Sequence, residues 1–190
     1  MAGKNTTQVR IGAPVSVGGY GKYAPIGTAR PTDAKTALNA SYLDFGYISD
    51  AGIEVKTDNG TDKIKDWNQD VVAIIQKSNE CTISFELLQI SPETARLIFG
   101  EDNVVTTGSG PDEKVTRIDY TGKLLKAKQF AFLLEDINGP MILDIADGTC
   151  TGMDGFKLTK TDVISFKVDL ELRKDQNGRF FALLMSDGAA

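Results

Sequence analysis

The stretch Ile164–Arg173, ISFKVDLELR, alternates without a break. Ile164, Phe166, Val168, Leu170 and Leu172 fall on one side, and Ser165, Lys167, Asp169, Glu171 and Arg173 on the other. A period of two is the strand period, and an apolar face backed by a charged one is the pattern of an antiparallel strand with one face in a core. Cys81–Leu87, CTISFEL, repeats it, with Cys81, Ile83, Phe85 and Leu87 opposed to Thr82, Ser84 and Glu86. These two segments decide the fold class: mainly β and antiparallel.

Working outward, further strands are expected over residues 15–23, 45–49, 53–58, 71–76, 115–120, 129–135, 141–145 and 180–185. Asp175-Gln176-Asn177-Gly178 predicts a hairpin turn joining the last two strands, and Asp58-Asn59-Gly60 gives a similar turn signal. One helix is expected. Ser91-Pro92-Glu93 supplies an N-cap, a proline at the first helical position and an acid in the first turn, with Gly100 to end it. Eight or so residues are too few to be helical alone, so the helix must pack on the sheet.

Two long polar segments interrupt the strands. Residues 24–42, APIGTARPTDAKTALNASY, are either a surface loop with a helical turn near Asp33–Asn39 or a docking segment ordered by a neighbouring subunit. On the second reading, removing Thr28–Leu38 takes few core residues and leaves a folded monomer. Residues 56–70, KTDNGTDKIKDWNQD, hold Trp67, the only tryptophan, either as a cap on the core edge or as an interface anchor. Residues 106–113, TTGSGPDE, are expected to be a flexible loop.

Composition narrows the function. The chain has 190 residues with 41% hydrophobic content, enough for one core, and is expected to be a single domain over residues 1–190 with a flexible arm over 1–12. Histidine is absent, which removes Ser-His-Asp and Cys-His catalysis and most catalytic zinc sites. Carboxylate-pair hydrolysis has acids available but no pattern that pairs them. Val17-Gly18-Gly19-Tyr20-Gly21 lacks dinucleotide-loop spacing, and its glycines are expected to let a strand bend or the backbone approach closely. No catalytic, cofactor or metal residue is expected. A formal charge of −5 with no basic run disfavours a nucleic-acid grip. No apolar run approaches a membrane span, and the N-terminus has no signal-like core. Two cysteines, Cys81 and Cys150, are too few for a disulfide framework.

Residues 24–28, APIGT, with Pro31-Thr32-Asp33, then residues 45–53, FGYISDAGI, a tryptophan-bearing loop, the strand 81–88 and the helix start 91–95, SPETA, occur in an order that resembles the major tail (tail tube) proteins of long-tailed, siphovirus-type bacteriophages. The likeness runs from Val15 to Met185 and rests on order and spacing rather than on one motif. It implies a β-barrel or β-sandwich with a packed helix, without the C-terminal immunoglobulin-like domain of some relatives. It further implies hexameric rings stacked into a tube that passes DNA without gripping it and lies in the virion tail after assembly in the host cytoplasm. The partners implied are a tape measure protein inside the tube and terminator and tip proteins at its ends, with no cofactor and no membrane. On that reading Pro25, Ile26, Thr28, Pro31, Lys56, Asp58, Lys63 and Trp67 are expected at contacts between subunits or rings. Glu86, Asp169 and Glu171 are expected either to face the lumen or to lie on outer surface. A β-sandwich binding module, for carbohydrate or capsid decoration, is the competing class.

Overall fold

In the computed structural model, residues 9–15, 19–153, 155–156, 158–161 and 163–186 are described. The strands in chain order are β1 (Ala13–Pro14), β2 (Gly21–Pro25), β3 (Leu43–Asp44), β4 (Ile48–Asp58), β5 (Thr61–Lys65), β6 (Val71–Gln76) and β7 (Glu80–Leu87). After the helix α1 (Pro92–Phe99) come β8 (Val104–Thr107), β9 (Lys114–Ile118), β10 (Lys128–Asp136), β11 (Gly139–Met153), β12 (Phe166–Leu172) and β13 (Ala182–Met185). The large sheet runs β3-β2-β10-β11-β12-β7-β4, with β1 beside β10 and β13 beside β11. Its pairs are antiparallel, as the alternation demands.

Long β11 explains how one sheet makes two walls. Its first half pairs with β13 (Met141↔Met185 to Asp144↔Ala182) and its second half with β12 (Gly148↔Leu172 to Met153↔Val168). β12 and β13 therefore lie end to end along one edge of β11. This corrects the expected hairpin: Asp175 does close a turn, accepting from Asn177 N and Arg179 N, but the turn carries the chain from one half of β11 to the other. Register breaks at Lys128/Phe130 and Cys150/Gly152 mark bulges, which bend strands and raise their twist.

The walls close over aromatic rings. Phe45, between β3 and β4, is fully buried and meets Phe85 of β7 at 5.5 Å, Phe132 of β10 at 5.8 Å and Tyr23 of β2 at 6.4 Å. A Cβ on Gly21 would lie 2.3 Å from the Phe45 ring, so only glycine lets the ring lie against β2. Val17 and Gly18 of the glycine-rich segment lie outside the described residues. The inward sides of β7 and β12 are buried throughout, as their alternation predicts.

α1 begins where the sequence places it. Ser91 Oγ accepts from Thr94 N at 3.1 Å, Pro92 is the first helical residue, and Ala95, Leu97, Ile98 and Phe99 join the core. Thr94 Oγ1 donates to Phe45 O at 2.7 Å, fixing the helix to the aromatic centre. Residues 106–113 are not an open loop: β8 and β9 pair across them, and Glu113 is held by Thr106 Oγ1 and Arg96. Cys81 and Cys150 are both buried, and burial pushes the Cys150 thiol up to about 12.

Candidate assembly surfaces

Residues 56–70 are not a loop. β4 passes straight through Asn59–Gly60 into β5, and β5 pairs with β6 from Thr61↔Gln76 to Lys65↔Val71. The expected turn at Asp58-Asn59-Gly60 does not form, because Gly60 O accepts from Lys77 N (2.8 Å) and Ser78 N (3.3 Å) and keeps the two strands side by side. The reversal comes at Asp66–Asp70, where Asp66 Oδ1 accepts from Asn68 N and Asp70 N and Gln69 takes φ 68°. The result is a two-stranded arm projecting beyond the sheet. Trp67 at its tip is 98% exposed, so it does not cap the core edge. Register places Ile64, Ala73 and Ile75 on one face of the arm and Lys63 and Ile74 on the other, with Ile74 63% exposed. A two-stranded hairpin bare on both faces is marginal in water.

The second surface is the outward face of β4, β7, β12 and the end of β11. Register aligns Glu54 with Ser84 and Asp169, and Lys56 with Thr82 and Glu171, while Glu86 lies opposite Lys167. Asp58 lies opposite Glu80, and Asp147 pairs with Arg173 at 2.9 Å. Among the described residues seven acids and three bases thus share this face. Hydroxyls bridge part of it: Ser84 Oγ donates to Asp169 Oδ1 at 2.5 Å, and Ser165 Oγ donates to Glu86. Glu86, Asp169 and Glu171, expected together, are brought together. Lys56 and Asp58, expected at subunit contacts, lie on the same face.

The third feature escaped the sequence. Between Ile48↔Leu87 and Ile53↔Phe85 the β4–β7 register jumps, so Ser49–Gly52 bulge away without a ladder partner. Ile53 and Val55 form one wall of a cleft of about 680 Å³, and Leu134, Leu143, Phe181 and Leu183 form the other. Here the curled sheet fails to close. The cleft is edged by β4 and β13, and among the described residues Asp50 is the one charged residue lining it.

Part of residues 26–42 packs on its own sheet. Arg30 Nε donates to Asp144 Oδ2 at 2.9 Å and Arg30 Nη1 to Asp175 Oδ2 at 3.2 Å. Ala34, Tyr42 and Leu38 cover Ala24, Ala131 and Ile142 on the outer face of β2, β10 and β11. Of the residues in Thr28–Leu38, Ala34 is buried and Leu38 partly buried in that second cluster, so their removal takes few core residues but also takes the Arg30 partner of Asp144 and Asp175. Burial raises the Asp144 carboxyl above its usual range even though Arg30 opposes the shift. Burial and the Asp144 charge push the Tyr42 hydroxyl up to about 12. Backbone donation from Arg179 lowers Asp175 strongly, with Arg179 and Arg30 adding to it. Of the expected contact residues here, Pro25 and Ile26 are exposed, whereas Thr28 and Pro31 are half-buried and Thr28 closes a turn onto Pro25 O.

Among the described residues no group of three or more His, Cys, Asp or Glu could hold a metal ion, and no helix is long and apolar enough to cross a membrane. The sequence matches the family described as phage tail tube protein over residues 2–190. Among solved structures it is similar to a chain of an extracellular contractile injection system, the PVC sheath-tube complex in its extended state. The identity is 11% and the TM-score 0.42, over 97% of this chain and 100% of that one. No curated protein matches.

Proposed function

We propose that this chain, which belongs to the phage tail tube protein family, is the repeating subunit of a tail tube, closing into hexameric rings that stack into a conduit for DNA ejection. The observation that carries the reading is the β5–β6 arm: six apolar side chains stand in water on an element too thin to bury any of them. Such an arm needs cover from another copy. Ile64, Trp67 and the β6 residues take that role, with Lys63 beside them, and Pro25, Ile26, Thr28 and Pro31 supply a second contact region at the end of β2.

The acidic face of β4, β7 and β12 suits a lumen wall. An excess of acids repels phosphate over a Debye length of ~8–10 Å, so DNA passes without being held. Lys56 and Asp58 belong to this wall on the present reading. Passage needs no chemistry, and the subunit is a structural protein rather than an enzyme. The tape measure protein occupies the growing tube, and terminator and tip proteins close its ends in the virion.

Electron microscopy of the purified full chain at high concentration, with and without tail-tip complexes as initiator, tests the reading. Rings or tubes of uniform diameter are expected. A strictly monomeric species under both conditions, above all one that binds glycans, would overturn it.

A further inference from the structure

We infer that the cleft between the β4 bulge and β13 is the socket for the β5–β6 arm of a second copy of this chain. The inference rests on the tube reading for its partner and on the following observations for its place.

The cleft is apolar on both walls and bounded by two strand edges, and its volume of about 680 Å³ lies within the ~300–1,000 Å³ of sites that enclose a ligand. Ser49–Gly52 have no ladder partner on β7, and the Ser49 hydroxyl is shielded from water with no hydrogen-bond partner. Such groups accept an added strand. Charge selects the occupant. Among the described residues Asp50 is the only charged one that lines the cleft, and it has no ion pair there. On the arm, Lys63 and Lys65 flank Ile64 and are likewise without an ion pair there, whereas Lys56 pairs with Glu54 and Lys77 with Asp62. The arm thus brings unpaired cations beside apolar side chains, and the cleft offers an unpaired anion beside apolar walls.

The arm cannot fill the cleft of its own subunit. β4 forms one cleft wall and then runs on into the arm, and the bonds to Gly60 O hold that continuation in place. From Ile53 at the socket to Trp67 at the tip is 14 residues of nearly continuous strand, about 46 Å at ~3.3 Å per residue. Plug and socket therefore sit apart on one molecule. Their contact is heterologous and leaves one of each free, so it propagates in one direction. The arm offers 16 residues and the socket 14, below the ~20–30 per side of a standard interface, so a single contact is weak and isolated dimers do not accumulate.

The test uses full-length protein with one cysteine introduced in the arm (Ile64→Cys, Trp67→Cys or Ile74→Cys), each mixed with Leu183→Cys and mildly oxidised. Cys81 and Cys150 are buried and stay silent. A covalent dimer is expected from at least one mixture and from none of the single variants alone. Wild-type assembly is imaged in parallel. Tubes without any cross-link overturn the socket and leave the tube reading standing. A cross-link without rings or tubes upholds the socket and overturns the tube reading, and the absence of both overturns both. In the second arm, Asp50→Lys raises the critical concentration for assembly at least tenfold, and Lys63→Asp with Lys65→Asp in the same chain restores it. Wild-type assembly by Asp50→Lys alone, or no restoration, overturns the charge pairing. A spacing between stacked copies above about 46 Å would also overturn the socket.

Discussion

Reversing two acids on the sheet's charged face should hinder DNA passage without harming the tube. Among the described residues seven acids and three bases share that face, an excess of four negative charges per subunit. Changing Glu86 and Glu171 to lysine moves each position by two charges and brings the excess to zero. In a six-membered ring that is a change of about 24 unit charges. Facing a phosphate at ~10 Å in water, one unit charge contributes about 0.4 kcal/mol before screening and about 0.15 after it. The summed effect is about 4 kcal/mol of added attraction per ring, repeated at each ring the DNA must cross. Glu171 is exposed and Glu86 is half-exposed, bonded to one hydroxyl, so neither change empties the core. The assay is ejection from particles carrying the double variant, with micrographs to confirm intact tails. Slower or incomplete ejection is expected, and it should recover at high salt, where the Debye length shrinks to ~3 Å. Ejection at the wild-type rate in low salt would refute the lumen assignment.

Phe45→Ala should cost about 4 kcal/mol, since it empties the contact between the two walls, and should lower Tm by roughly 8–16 °C in a thermal melt of the monomer. A loss under about 1 kcal/mol would mean the walls do not depend on that ring. Arg30→Ala leaves Asp144 buried without its guanidinium and should cost about 3 kcal/mol at neutral pH. The folded carboxyl, already raised, then rises further, so the native state holds the extra proton and the penalty should shrink as pH falls toward the carboxylate range. Urea midpoints for the variant and wild type from pH 4 to 8 check this, and a pH-independent difference would refute it. The wild type should behave oppositely in stronger acid. Asp175, Asp136 and Glu113 all have lowered folded pKa values, so their stabilisation is present above the ordinary carboxylate pKa and lost as pH falls below it. Acid denaturation followed by circular dichroism reads it out. Ser91→Ala removes the cap on Thr94 N and should cost about 1 kcal/mol by the same urea measurement, with no change in strand content.

The elements legible in the sequence are those whose burial is settled within one chain. β7 and β12 each have one face in the core and one in solvent, so alternation locates them to within a residue or two. The helix was legible from Ser91, Pro92 and Gly100 because caps are local chemistry. β5 was missed for the converse reason. Thr61–Lys65 pairs with β6 but every one of its residues is exposed, so it has no alternation to display. Its partner, Val71-Val72-Ala73-Ile74-Ile75, shows the apolar run of a buried strand yet stands exposed, as a surface kept for another molecule would. The Asn59-Gly60 signal is overridden because bonds from Lys77 N and Ser78 N to Gly60 O keep the chain running on into β5, and the Asn177-Gly178 turn joins β12 and β13 without pairing them because both pair with β11. The cleft left no trace, since it is made by the β4 bulge meeting β13, which lies about 130 residues away in the chain. Likewise the hold of Arg30 on Asp144 and Asp175 spans separations that no local pattern encodes.

The position of Trp67 has a practical consequence. Because it is the chain's only tryptophan and stands at the tip of the arm, all indole emission from this protein comes from one solvated ring. Any event that wraps the tip must shift that emission, while folding of the body leaves it nearly silent. The wild-type chain therefore carries its own optical clock for polymerisation. A lag, an elongation phase and a plateau can be timed without a label, and the concentration dependence of the lag counts the copies in the nucleus.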